Sequence, residues 1–401
     1  MRILVINAGS SNLKFGLFDA DSFETWASGL IDWGAGPQMA NAVISLRGGD
    51  AVRSQIEVGG YRAAVNYALR LLTERELVSN TGKSAVTVVG HRVVHGGAVF
   101  QDSVLIENSV KRMLERLTDL APLHNPPALE AIGAAEEALP GIPQVAVFDT
   151  AFYANMPRKA VIYPLPYEWY TDWGIRRFGF HGISHSYCAS RAAELLGRRL
   201  ADLRIVSCHL GNGCSATATR FGVPISTTMG FTPMEGLMMG TRPGSIDPGI
   251  LLYLQQHKGL SAGQIEQALN HGSGLLGVSG VSSDFRAVEE TACKGNDRAK
   301  LALEIYASRV REAIGALAVT MGGMDVLVFT AGVGENSATL RASVCDGLEC
   351  LGLILDGQHN GACQPDINIA APESPAQILV LRTREDLVIA RETIRITSPQ
   401  F

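Results

Sequence analysis

The sequence predicts an α/β protein in which one domain is used twice, with its ligand in the cleft between the two halves. Three observations carry this. A short apolar strand, residues 3–6 (ILVI), runs into the small polar corner Asn7-Ala8-Gly9-Ser10-Ser11-Asn12 and returns as residues 13–18 (LKFGLF). Such an apolar run suits a strand buried on both faces, and such a corner can turn backbone N–H groups toward an anion. The arrangement recurs at residues 204–217, around Gly211-Asn212-Gly213. A third apolar strand, residues 326–329, enters Thr330-Ala331-Gly332-Val333-Gly334-Glu335-Asn336. Three strand-to-glycine transitions in one chain point to a polyphosphate gripped from two halves.

Composition narrows the function classes. A chain of 401 residues exceeds what one core usually supports, so two domains are expected. The content of 46% hydrophobic and 18% charged residues is that of a globular protein. No apolar run reaches the roughly 18 residues of a membrane span, and the apolar part of the N-terminus is too short for a signal peptide. Seven cysteines without a C-x-x-C pair read as reduced thiols in a cytoplasmic protein. A net charge of −5 argues against broad nucleic-acid binding. It leaves room for a small anion in a locally basic cleft.

Along the chain, Val65, Leu69 and Leu72 fall at helical spacing within residues 61–77, and residues 84–89 form a strand leading to Gly90-His91-Arg92-Val93-Val94-His95-Gly96-Gly97. Thr81-Gly82-Lys83-Ser84 imitates the end of a phosphate-binding P-loop, but the required upstream glycine is Leu77, so it reads as a plain loop. A helix over 126–139 is expected, capped by Asn125 with proline in its first turn. Residues 145–148 form a strand with Asp149 at its carboxyl end, where ligands bind in open α/β sheets. Residues 174–185 (GIRRFGFHGISH) read as a loop followed by a helix over 191–196, and residues 272–280 as a flexible stretch. Ser282-Ser283-Asp284 caps a helix beginning near Phe285. A long amphipathic helix over 299–321 buries Leu303, Ile305, Val310, Ile314 and Leu317. A strand over 378–381 and a closing helix from Glu385 complete the order. The domain boundary is placed after residue 150: an N-terminal domain 1–150 rejoined by the helix 386–401, and a C-terminal domain 151–385.

Phosphoryl transfer asks a protein for positioned phosphates, a metal and cations where charge spreads. Arg92 and Arg242 stand in glycine-rich loops and offer a planar fork for carboxylate or phosphoryl oxygens; the alternative for each is a surface salt bridge. Asp149 either orients a nucleophile and metal-bound water or makes an Asx turn. His181, among aromatics, is either functional or a hydrogen-bonded core histidine. His209 and Asn212 stand at the second hairpin, where Asn212 can aim its backbone N–H at phosphate. Zinc-ligand spacing and a G-x-S-x-G elbow are both absent from the sequence.

Taken together, VINAGSSNLKF, GHRVVHGG, APLHNPP, VFDTAF, FGFHGISH, CHLGNG, MGTRPG, SSDFR, FTAGVGEN and the Glu385 region resemble the acetate kinase family, in the family's order from residue 3 to the last helix. The resemblance implies two duplicated ribonuclease-H-like domains of the actin-like ATPase kind with an interdomain active-site cleft, a homodimer, and reversible transfer of a phosphoryl group from ATP to acetate, giving acetyl phosphate and ADP. It implies magnesium, with manganese as the alternative. Carried over by position, Asn7 and Glu385 match magnesium-associated residues and Lys14 a nucleotide contact. Arg92 matches a substrate-binding arginine, Asp149 the catalytic carboxylate, and His181 and Arg242 the stabilisers of the transition state. His209, Leu210, Gly211, Asn212 and Gly213, then Asp284, Phe285 and Arg286, then Gly332, Val333, Gly334, Glu335 and Asn336 match ATP-binding segments. Val94, Leu123, Phe180 and Pro233 match the apolar pocket for the acetate methyl.

Four positions depart from the family pattern. Asn12 stands for a serine, Tyr153 for a histidine, Ser245 for an aspartate that follows Arg242, and Arg384 for an asparagine beside Glu385. The last two bear on how Arg242 is held and on metal affinity. Propionate is the competing substrate, because one methylene in an apolar pocket is worth only about 1–3 kcal/mol, and Val94 favours acetate by narrowing the pocket. A nucleotide-gated chaperone or filament ATPase of the same superfamily is the alternative from another class; two arginines with His181 favour a kinase, which has a carboxylate to anchor. Dimerisation is expected through the second domain, with the helix over 299–321 either contributing or lying inside the core.

Overall fold

The computed structural model describes residues 1–9, 12–34, 39–49, 51–78, 85–122 and 124–398. The chain divides into two compact units, Met1–Ala154 with Arg384–Phe401, and Asn155–Thr383. The P-loop imitation at 81–84 and the predicted pocket residue Leu123 lie outside the described residues.

Unit 1 holds one sheet. Its strands are β1 (Arg2–Ala8), β2 (Asn12–Asp19), β3 (Thr25–Asp32), β4 (Met39–Leu46), β5 (Val52–Glu57), β6 (Val86–Val93), β7 (Val104–Leu105) and β8 (Gln144–Phe148). Their order is β5-β4-β3-β2-β1-β6-β8-β7. Unit 2 holds β9 (Arg204–Leu210), β10 (Cys214–Arg220), β11 (Val223–Thr227), β12 (Val326–Thr330), β13 (Ile367–Asn368) and β14 (Gln377–Val380), ordered β11-β10-β9-β12-β14-β13. The repetition is direct. β1 pairs antiparallel with β2 and parallel with β6, which is parallel to β8. β9 pairs antiparallel with β10 and parallel with β12, which is parallel to β14. Each half ends in a short antiparallel edge strand, β7 or β13. Two α/β domains of one topology, the ribonuclease-H-like pattern, are therefore present.

The central strands explain their own apolarity. Ile3, Leu4, Val5 and Ile6 are all buried, each contributing about 1.5–3 kcal/mol. Leu4 and Ile6 pack with Ala131, Ala134 and Ala135 of the helix Asn125–Ala138 and with Val65 and Leu72 of the helix Tyr61–Glu74. The opposite face carries the closing helix Glu385–Thr397, which crosses β6 so tightly that a Cβ on Gly90 would fall 2.2 Å from Thr393 Oγ1. In unit 2 the helix Gly182–Leu195 covers Ile205, Val326, Val328 and Leu379, while the helix Asp297–Met321 packs on β9, β10 and β11.

Several local expectations change. Residues 182–185 are already helical, so the loop is shorter and the helix longer than predicted; its small first-turn residues lie buried against the sheet, and packing decides. Asn125 is the first residue of its helix, not the cap, because its side chain is used elsewhere: Oδ1 accepts from the His95 N–H and Nδ2 donates to the His95 carbonyl. A short helix, Gly274–Ser279, replaces the flexible stretch. The third glycine segment forms the helix Ala331–Asn336 directly after β12. Asp284 does cap its helix, accepting from the Arg286 N–H. In the long helix Val310, Ile314 and Leu317 are buried as expected, but Ala302 and Tyr306 fill the places given to Leu303 and Ile305. That stripe packs inside unit 2, so the helix is a core element. Among the described residues no helix is long and apolar enough to cross a membrane.

Candidate active site

In unit 1, β6 and β8 run side by side and deliver Arg92 and Asp149 to the same edge. Arg92 grips Asp149 side-on, with Nη2 to Oδ2 at 2.6 Å and Nε to Oδ1 at 3.3 Å. Its remaining nitrogen, Nη1, donates to Asn7 Oδ1 at 3.3 Å and lies 4.0 Å from Glu385 Oε2. The Asp149 side chain is 0% exposed and that of Arg92 17%, which rules out the surface salt bridge. Burial alone would weaken the Arg92 charge; Asp149 and then Glu385 outweigh it and hold the guanidinium's pKa above its ordinary value. Four predicted residues from four parts of the sequence thus form one cluster. Lys14 is exposed on β2, opposite Asn7 in register, and Val94 is half-buried just beyond β6.

In unit 2 the second hairpin makes a three-residue corner: Leu210 pairs with Cys214, and the Gly211 N–H donates to the Gly213 carbonyl at 3.1 Å. Two of the predicted side chains meet at Gly213. A Cβ there would lie 2.8 Å from Arg242 Nη2 and 3.4 Å from His181 Nε2, so an imidazole and a guanidinium converge on the glycine corner. Arg242 is held from behind by Nη1 donating to the Pro233 carbonyl at 2.5 Å. Burial lowers its pKa, partly opposed by Cys214. Ser245 does not hold it; the Ser245 hydroxyl accepts from the Gly236 N–H and braces the loop instead.

His181 directly precedes the helix Gly182–Leu195 with φ 56°, a left-handed conformation that typically costs a non-glycine residue about 1–3 kcal/mol and gathers at functional sites. Its ring stacks on that of His209, with centroids 4.2 Å apart. Its Nδ1 bonds Ser215 Oγ at 2.9 Å. His209 Nδ1 bonds Ser184 Oγ at 2.8 Å. Phe180 is buried beside it, and Pro233 is half-buried.

A cavity of about 720 Å³ in unit 2 is lined by Gly211, Asn212, Asp284, Phe285, Arg286, Gly332, Val333 and Asn336, all predicted nucleotide residues, together with Leu275, Ser283, Glu289 and Ser337, which the sequence reading missed. This volume suits a small-molecule site. Hydrogen bonding to Arg286 lowers the Asp284 pKa, and the pair shapes the rim. His209, Leu210, Gly213, Gly334 and Glu335 are not among the lining residues. Leu210 and Gly334 are buried. Glu335 instead folds back, Oε1 accepting from the N–H groups of Ala331 and Thr383 at 3.0 Å each. That tie holds Ala331 at φ 66° and shapes the turn. Of the remaining departures, Tyr153 is buried, whereas Arg384 is exposed and supplies no side-chain cap to the closing helix.

The profile of the acetokinase family matches residues 2–391. An acetate kinase from Cyanothece sp. is 50% identical, spanning 98% of this chain and 97% of the relative. Among solved structures, the acetate kinase of Porphyromonas gingivalis superposes with a TM-score of 0.90 at 41% identity, covering 98% of this chain and 99% of that one. A propionate kinase from Francisella tularensis subsp. tularensis superposes with a TM-score of 0.91 at 38% identity, with the same coverage. Matched by the family over residues 2–391, and similar to these kinases along nearly its whole length, the chain is a phosphotransferase that belongs to the acetokinase family.

Proposed function

We propose that the chain works as an acetate kinase, moving the γ-phosphoryl group of ATP reversibly and directly to the carboxylate of acetate. One acetate oxygen forms the new bond to phosphorus, the bond from phosphorus to the bridging oxygen breaks, and ADP leaves with that electron pair. The observation that carries the reading is the meeting of His181 and Arg242 at Gly213, in the unit that also holds the nucleotide-sized cavity. Donors aimed at the equatorial oxygens of a moving phosphoryl group contribute most of what a protein can offer this reaction.

In this reading Gly211, Asn212, Asp284, Phe285, Arg286, Gly332, Val333 and Asn336 hold the nucleotide, and Lys14 assists. Arg92 anchors the carboxylate, and Asp149 fixes the fork of Arg92. The apolar side chains assigned to the acetate methyl are Val94 in unit 1 and Phe180 and Pro233 in unit 2. The oxygen donors of Asn7 and Glu385 meet at Arg92, and all-oxygen donors suit magnesium, which keeps most of its waters and takes phosphate oxygens. Bound with ATP, the metal would neutralise charge on the phosphate oxygens.

Two broader features belong to the same proposal. The helix Gly249–Lys258 has no buried residue, yet Ile250, Leu252 and Tyr253 are 46%, 57% and 51% exposed. A helix that leaves these apolar side chains in water supports a homodimer, which light scattering would reveal as twice the chain mass. Seven cysteines without a C-x-x-C pair fit a reducing cytoplasm.

The test is ATP turnover with acetate, propionate or butyrate, trapping acyl phosphate as hydroxamate. Acetate-dependent turnover with matching hydroxamate is expected, acetate being used best. Turnover without a carboxylate, and without hydroxamate, would contradict the reading.

A further inference from the structure

Behind His181 runs a chain of polar side chains that the reaction does not touch. Ser215 Oγ lies 2.9 Å from His181 Nδ1 and 2.7 Å from His185 Nε2. His185 Nδ1 lies 2.7 Å from Ser207 Oγ. Ser207, Ser215 and His185 are all 0% exposed. The fold assembles the chain simply. His181 and His185 are four residues apart at the start of one helix, and Ser207 and Ser215 sit on β9 and β10, in register with Thr217 and His209 on the face that helix covers.

A hydroxyl between two imidazoles has one proton to give, so the chain points one way or the other. In the first arrangement Ser207 donates to His185 Nδ1, His185 Nε2–H donates to Ser215, and Ser215 donates to His181 Nδ1. The neutral His181 then carries its proton on Nε2, the nitrogen that faces Gly213 beside Arg242. In the reverse arrangement His181 Nδ1 donates to Ser215, and a neutral His181 has no proton left at Nε2. Burial, reinforced by neighbouring His209, pushes the His185 pKa well below its ordinary value, so this ring is a neutral relay with one donor and one acceptor.

We propose that His185, acting through Ser215, is a positioning residue that fixes the proton of His181 on Nε2 and keeps that N–H aimed at the glycine corner. The nitrogen that carries the proton is set by the hydrogen bond the other nitrogen makes, and a wrong tautomer is costly in a site that depends on one donor. The inference rests on the reading in which His181 serves the transferring phosphoryl group.

The tautomer can be read without turnover. The full-length protein, labelled with ¹⁵N-histidine, reports the protonation of each ring nitrogen by long-range proton–nitrogen correlation, with His181→Gln identifying the His181 signals. His181 should be in the Nε2–H form, and Ser215→Ala should convert it to a mixture. In parallel, Ser215→Ala should lower kcat about tenfold to a hundredfold, below the 10²–10³ of losing a whole donor, with KM for ATP and acetate within about twofold. Ser215→Thr, which keeps the hydroxyl, should recover most of the loss. Ser207→Ala, one imidazole further from the site, should shift the tautomer and kcat in the same direction by a smaller factor. An Nδ1–H tautomer in the parent protein, or a His181 signal unmoved by Ser215→Ala, overturns the proposal. Full turnover by His181→Gln would instead overturn the role of His181 in the reaction, so the two failures are separable.

Discussion

Replacing Arg92 with methionine keeps most of the side-chain stem and removes the charge, which separates what the residue does for the fold from what it does for the reaction. Its guanidinium makes two bonds to an aspartate that is 0% exposed. Breaking one side of such a buried pair typically costs about 3–5 kcal/mol, mostly because the remaining charge is stranded, whereas removing both charges is close to neutral. Arg92→Met should therefore lose about 3–5 kcal/mol of stability, and Arg92→Met with Asp149→Asn should regain all but about 1 kcal/mol. Turnover should respond differently. Both variants lack the fork proposed to hold the carboxylate, so both should fall by about 10²–10⁵, the span between a lost oxyanion donor and a lost arginine finger. Urea unfolding followed by tryptophan fluorescence measures the first quantity, and hydroxamate formation the second. A double variant as unstable as Arg92→Met would refute the coupling; kcat within tenfold of the parent would make Arg92 purely structural.

Three further outcomes are expected. Gly213→Ala should lower kcat by about threefold to tenfold without unfolding the protein. The new methyl would lie 2.8 Å from Arg242 Nη2 and force a shift of some tenths of an ångström, where about 1 Å can cost 10²; unchanged kcat would show that Arg242 is not confined there. Val94→Ala should raise kcat/KM for propionate relative to acetate, by an amount within the ~1–3 kcal/mol that one methylene commands; an unmoved ratio would remove Val94 from the pocket. His91 is 1% exposed, and burial lowers its pKa to about 4, against 6.5 ordinarily, even though the bond to Gln144 opposes the shift. Between those values the unfolded chain binds the extra proton, so stability falls as pH drops, by up to about 1.4 kcal/mol per pH unit. His91→Gln should flatten the urea midpoint between pH 6.5 and 4, and identical slopes would contradict this.

The duplicated hairpin was legible because both copies place an apolar strand before a glycine corner, a pattern that survives without knowledge of packing. Arg92 and Asp149 were legible as strand-end residues, but their ion pair was not, since it depends on β6 lying beside β8 across some fifty intervening positions. The relay behind His181 was missed for a specific reason. The sequence reads residues 174–185 as loop, and within a loop the spacing of four between His181 and His185 carries no message; at a helix start it brings His185 back over the capping His181, whose carbonyl accepts from the His185 N–H. Asn125 shows the opposite error. Its residue type is right for a cap, but the His95 backbone competes for the same side chain and wins. For Glu335, nothing local reveals that its carboxylate turns back to Ala331 and Thr383.

The central claim is that these side chains receive a phosphoryl group in flight and never bond to it. The stereochemical course at the γ-phosphorus tests that most directly, using ATP made chiral there with oxygen isotopes and acetate as acceptor. A single in-line transfer predicts inversion of configuration in acetyl phosphate. Retention would mean two displacements and a phosphorylated side chain, and would contradict the account.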